Sequence, residues 1–107
     1  MDFQALLALM VQKKASDLFI TAGRPPTLKV DGKLQEVSKT NLTAQQSMQL
    51  VKGIMTEKQK DEFDNTRECN FAIAVPGLAR YRVSAFTQRD EAGMVFDKPK
   101  REEVREA

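Results

Sequence analysis

The stretch Arg80-Tyr81-Arg82-Val83-Ser84-Ala85-Phe86-Thr87-Gln88-Arg89 alternates. Tyr81, Val83 and Ala85 fall on one side, and Arg80, Arg82 and Ser84 fall on the other. A period of two belongs to a strand with one buried face and one charged face. Arg80 and Arg82 therefore project from the same face. An arginine is always charged and presents a rigid fork of donors suited to phosphate or carboxylate. The chain carries no evident machinery for using a phosphate itself. That mismatch points to an accessory domain that works with a partner.

At 107 residues the chain predicts one domain with a modest core. Seventeen basic residues against 15 acidic ones leave a net charge of +2. That balance is too even to argue for DNA, RNA or a membrane surface. There is no histidine and one cysteine. Ser/His and Cys/His nucleophile pairs are thus impossible within the chain. Zinc would have only Cys69 and carboxylates to bind, a poor ligand set. Cys69 opens an apolar run and reads as an inert strand residue. The apolar run from Ala5 to Val11 is too short to span a membrane. Asp2 precedes it and Lys13-Lys14 follow, the reverse of a secretion signal. The expected location is the cytoplasm.

Asp2 is placed to cap a helix running to about Lys14, with Phe3, Leu6, Leu7 and Met10 on its apolar face. Strands are predicted at Asp17–Thr21, Thr27–Val30 and Lys33–Val37. Gly23-Arg24-Pro25-Pro26 breaks the first from the second, and Asp31-Gly32 is a hairpin dipeptide. Thr43 with Gln46, and Thr56 with Gln59, have capping-box spacing and open two helices. The first should turn Met48, Val51 and Ile54 or Met55 inward, with Gly53 softening its end. The second, about Glu57 to Asn65, is charged, with Phe63 as its main apolar contact. Its Glu57, Asp61, Glu62 and Asp64 read as a solvated face. Phe71, Ile73 and Val75 alternate as a strand, and Pro76-Gly77 turns into the arginine strand, about Leu78 to Gln88. Arg89-Asp90-Glu91 turns again into a last strand, Ala92–Phe96. The short connections predict an α+β fold: helix, three strands, two helices, three strands, with an antiparallel sheet covered by helices.

From Asp97 to Ala107 the character changes. Eight of these eleven residues are charged, and Val104 is the only sizeable apolar one. Residues 1–96 are read as the folded domain, and 97–107 as a disordered or artificially appended tail.

Ala15-Ser16-Asp17-Leu18-Phe19-Ile20, then Gly23, Pro25-Pro26 and Val30-Asp31-Gly32, resembles the opening of the PilT/PilU family of type IV pilus retraction ATPases. So do Ile54-Met55 with Lys58-Gln59 and Phe63, and Pro76-Gly77-Leu78-Ala79-Arg80-Tyr81-Arg82-Val83-Ser84-Ala85-Phe86. Phe19, Glu68-Cys69-Asn70-Phe71-Ala72-Ile73 and Gly93-Met94-Val95 lean towards the PilU side. The resemblance covers about residues 1–96. It implies a PAS-like N-terminal domain of a hexameric secretion-superfamily ATPase. The parent would couple ATP and magnesium to pilus retraction and twitching motility, at the cytoplasmic face of the inner membrane. Its implied partners are the C-terminal ATPase domain, neighbouring subunits of a homo-hexamer, a PilT-like motor and the inner-membrane pilus machinery, with no nucleic acid.

A phosphate-binding loop needs two glycines five apart, the second followed by lysine. The five glycines here are Gly23, Gly32, Gly53, Gly77 and Gly93, and no two have that spacing. The chain is therefore expected to hold no cofactor and to hydrolyse no ATP alone. The resemblance implies that Arg82, and with it Arg80, reaches the phosphates of a nucleotide held by the catalytic domain. Arg89 reads as a turn residue. The family's second phosphate-facing arginine falls where this chain has Asp97, which would repel phosphate. A plain surface arginine paired with a carboxylate such as Glu68 is the alternative for Arg82. Gly23-Arg24-Pro25-Pro26 is either a contact loop or a tight strand connection. A stand-alone PAS-like sensor or protein-interaction domain is the alternative for the whole, although no histidine or tryptophan offers to hold haem or flavin. A nucleic-acid surface is discounted, because Tyr81, the aromatic interleaved with the arginines, should face inward.

Overall fold

The computed structural model describes residues 3–75, 79–89 and 91–97. Its elements are α1 (Phe3–Lys13), β1 (Asp17–Thr21), β2 (Thr27–Val30), β3 (Lys33–Glu36), α2 (Ala44–Gly53), α3 (Glu57–Thr66), β4 (Glu68–Val75), β5 (Ala79–Gln88) and β6 (Glu91–Asp97). The predicted order of helices and strands is the observed one. Asp2, the Pro76-Gly77 turn, Leu78, Asp90 and the tail from 98 to 107 lie outside the described residues.

Both capping boxes form. The Gln46 N–H donates to Thr43 Oγ1 at 3.0 Å, and the Thr43 N–H donates to Gln46 Oε1 at 2.9 Å. The same exchange joins Thr56 and Gln59, at 3.2 and 3.0 Å. Each box satisfies donors that a helix start otherwise leaves open. Asp31 (φ 52°) and Gly32 (φ 79°) supply the two left-handed residues of a tight hairpin between β2 and β3.

The strands form one sheet in the order β3-β2-β1-β6-β5-β4, antiparallel throughout. Two three-strand meanders meet where β1 pairs with β6, with Leu18 opposite Phe96 and Ile20 opposite Met94. The helices and one face of the sheet share a single core built around Leu6, Met10, Leu18, Ile20, Val51, Phe63, Tyr81, Val83, Met94 and Phe96. The inward face of α2 is Ser47, Leu50 and Val51, with Met55 buried just beyond and Met48 and Ile54 half-buried. That face is rotated from the expected one because Ser47 can go inside. Its hydroxyl donates to the Ala44 carbonyl at 3.1 Å, so its burial strands no polar group. The last strand runs through Asp97, one residue into the stretch read as tail.

Candidate functional site

The second face of the sheet carries the arginines. On β5, Tyr81, Val83 and Ala85 are buried while Arg80, Arg82 and Ser84 are exposed, as the alternation predicts. Cross-strand partners share a face, so the register extends this row across the sheet. Lys29 of β2 lies opposite Asp17 of β1, Asp17 opposite Asp97 of β6, and Asp97 opposite Arg82 of β5. Two carboxylates thus sit side by side between a lysine and an arginine. Asp17 also accepts a hydrogen bond from the Ser16 hydroxyl at 2.6 Å.

Arg82 and Asp97 form a two-pronged pair. Arg82 Nη2 donates to Asp97 Oδ2 at 2.8 Å, and Nε donates to Oδ1 at 3.3 Å. This hydrogen bonding, and then the carboxylate charge, raises the affinity of the guanidinium for its proton. The side chain is 63% exposed, so the pair adds little to stability. Its consequence is chemical: any anion that comes to Arg82 must displace Asp97 or share the arginine with it. The alternative reading of Arg82, a surface arginine paired with a carboxylate, named one such as Glu68; the partner is Asp97. Glu68 lies opposite Phe86, four pairs away along the strand from Arg82. The hairpin arithmetic holds the missed signal. Gln88 pairs with Glu91, and counting back and forward from that pair brings Arg82 opposite Asp97.

Arg80 lies opposite Ala74, and no ion-pair partner engages it among the described residues. Arg89 sits in the turn with φ 55°, far from both. Gly23-Arg24-Pro25-Pro26 forms a knot of backbone bonds. Gly23 N–H donates to the Leu42 carbonyl at 2.7 Å, Leu42 N–H to Arg24 at 3.0 Å, and Val37 N–H to Pro26 at 2.8 Å. Both prolines are buried, and Arg24 is exposed. The loop ties the segment after β3 to the sheet. Beside it, on the arginine-bearing face, Phe19, Thr21, Pro25, Thr27 and Leu34 surround an open hollow of about 260 Å³. The larger hollow, about 410 Å³, lies between α1 and α2 and is lined by glutamines and apolar residues with no ionisable group. No cluster of three metal-ligating side chains occurs among the described residues. None of the described helices is long and apolar enough to cross a membrane.

Cys69 is buried, its Sγ 3.8 Å from Glu62 Oε1. Burial, then the Glu62 charge and hydrogen bond, pushes the thiol pKa up, which keeps it in its unreactive form. Tyr81 is fully buried and donates its hydroxyl to the Ala15 carbonyl at 2.6 Å. It offers no ring face to a base. Burial, then the Asp17 charge, raises its pKa above the usual 10.0. The folded state therefore favours the neutral phenol, and this contribution is complete below pH 10 and fades as pH climbs past it. Tyr81→Phe should lower stability by about 1–3 kcal/mol at neutral pH, since the Ala15 carbonyl loses its donor. The variant should also lose stability less steeply than the wild type above pH 10. Urea unfolding at a series of pH values checks both; parallel curves would remove Tyr81 from the alkaline response.

No family model matches the chain. Among curated proteins, it is 52% identical over 96 residues to the type IV pilus ATPase PilU of Pseudomonas aeruginosa. That match covers 90% of this chain and 25% of PilU. It is 42% identical over 96 residues to the retraction ATPase PilT of the same organism, covering 90% of this chain and 28% of PilT. The chain thus spans about a quarter of the length of these relatives. Among solved structures, the pilus retraction motor PilT with bound ADP superposes with a TM-score of 0.81 at 22% identity. It covers 92% of this chain and 29% of that one, a likeness of fold. These matches place the chain in the PilT/PilU family, over the stretch that corresponds to the family's N-terminal domain.

Proposed function

We propose that the chain is the regulatory, nucleotide-closing domain of a hexameric ATPase that powers pilus retraction. The observation that carries this reading is the sheet face of β5 that no described helix covers, where Arg80 and Arg82 stand exposed two residues apart. Catalysis of phosphoryl transfer is mostly positioning and charge stabilisation, and an added arginine assists it by orders of magnitude. The role assigned to Arg82, with Arg80 beside it, is to meet nucleotide phosphates held on a catalytic domain. Asp97 opposes that role until the phosphate displaces it. ATP and magnesium belong to the catalytic domain. This chain alone, with no phosphate-binding loop, turns over no ATP. Its partners in the assembly are that domain, neighbouring subunits, a PilT-like motor and the inner-membrane pilus machinery, on the cytoplasmic side.

The test is ATP turnover by the full-length ring, assayed with its PilT-like partner, for wild type and Arg82→Ala. A fall of about tenfold or more with nucleotide binding retained is expected. Unchanged turnover would move the arginine strand, and with it the domain, to subunit packing.

A further inference from the structure

The two borders of the sheet differ. β3 closes one side with four residues, all exposed, and carries Lys33 and Glu36. Short length and charge are the usual defences of a free strand edge. β4 closes the other side with eight residues and has neither defence. Beyond Glu68 at its start, Cys69-Asn70-Phe71-Ala72-Ile73-Ala74-Val75 contains no charge and no proline. Among the described residues the strand pairs on one side only, with β5. Its other row of backbone donors and acceptors is a template for a further strand.

The side chains of β4 say which strand fits. On the helix-bearing face, α3 covers the Cys69 end through Phe63 and Glu62, and Phe71 and Ile73 remain half-buried. On the arginine-bearing face, Asn70, Ala72 and Ala74 are exposed, small and neutral. We propose that β4 pairs antiparallel with β4 of a second copy of this chain, about a two-fold axis through Ala72, making one continuous twelve-stranded sheet from two of six. The seven uncharged residues are centred on Ala72. This register sets Ala72 opposite its own copy and Phe71 opposite Ile73 of the partner. Each half-buried apolar side chain then gains an apolar neighbour on the same face, the kind of pair that stabilises sheets. A two-fold through a residue also keeps helix face with helix face.

Charge permits the pairing as well. Ala72 lies beside Arg82 in the β4–β5 register, so the two copies of Arg82 flank the axis. Each is neutralised within its own chain by Asp97 at 2.8 Å, which removes the repulsion between them. Asn70 of one copy meets Ala74 of the other, with no like charges opposed. The contact is isologous and closes at two. It does not depend on the nucleotide role of Arg82.

The test uses the chain as it is. Sedimentation velocity across a dilution series should show a dimer that dissociates to monomer. Ala72→Lys places two lysines face to face at the axis, on an exposed position outside the core. It should weaken the dimer by about tenfold or more with the thermal transition of the monomer retained. Cysteine scanning fixes the register independently. Opposed Cα atoms in an antiparallel pair lie about 4.5–5.5 Å apart, within disulfide range. Ala72→Cys should therefore give a covalent dimer under mild oxidation. Ala74→Cys should not, because its copy lies about 13 Å away along the strand. A monomer at every concentration, growth beyond a dimer, an Ala72→Lys dimer as tight as wild type, or Ala72→Cys coupling no faster than Ala74→Cys or Ala44→Cys on α2 would each overturn the proposal. If Ala72→Lys fails to fold, the cysteine comparison decides alone.

Discussion

Phe96→Ala is expected to lower the unfolding free energy by about 3–5 kcal/mol, the range for deleting a fully buried aromatic side chain. Phe96 has no exposed surface and sits on β6 between Leu18 of β1 and Val83 of β5. Its ring centroid is 5.4 Å from that of Phe3 on α1, tilted by 32°. The strands on either side are hydrogen-bonded to β6 and cannot close the space. The helices over this face, α1 and α2, would have to settle into it, and their own Leu6, Met10, Leu50 and Val51 are already packed in the core. A domain of this size has about 5–15 kcal/mol of total stability, so one residue would remove a large share. The urea midpoint of wild type and variant measures it. A loss below about 1 kcal/mol would mean that the helices follow the shrinking core inward.

Gly93→Ala is expected to destabilise by about 1–3 kcal/mol, although alanine is normally the better strand residue. A Cβ added at Gly93 would lie 3.0 Å from the Ile20 carbonyl oxygen and 3.0 Å from the Phe86 ring. Phe86 is the register partner of Gly93, half-exposed, with its ring over the space that the missing side chain leaves. The ring can swing outward. The carbonyl belongs to β1, the neighbouring strand, and cannot move without disturbing the ladder. The double variant Gly93→Ala/Phe86→Ala separates the two terms. It should remain less stable than Phe86→Ala alone, because the carbonyl contact persists. Equal stability of those two would assign the whole penalty to the ring.

Much of the architecture was legible because its signals are local. Thr43 and Gln46, Thr56 and Gln59, and Asp31-Gly32 each act within four residues, and each formed as its chemistry requires. The alternation of β5 told buried from exposed correctly at Tyr81, Arg82 and Val83, because a pleated strand leaves a side chain only two directions. The face of α2 was less legible. A serine reads as polar by composition, and only its bond to the Ala44 carbonyl makes Ser47 a buried residue.

The arginine face divides along the same line. That Arg80 and Arg82 share a face follows from their spacing alone. That Asp97 engages Arg82 depends on β6 lying against β5 in the register that pairs Gln88 with Glu91. That Asp17 stands beside Asp97 depends on a pairing between the first strand and the last, 80 residues apart in sequence for these two positions. Strand order across that distance has no signature in either segment, because Leu18 and Phe96 would be equally buried against other partners. The edge position of β4 has the same origin. Its lack of charge is written in residues 69–75, but only the order of the sheet leaves that uncharged strand without a second neighbour among the described residues. Short-range chemistry chose the elements and the direction of each side chain, and the tertiary pairing chose which of those side chains meet.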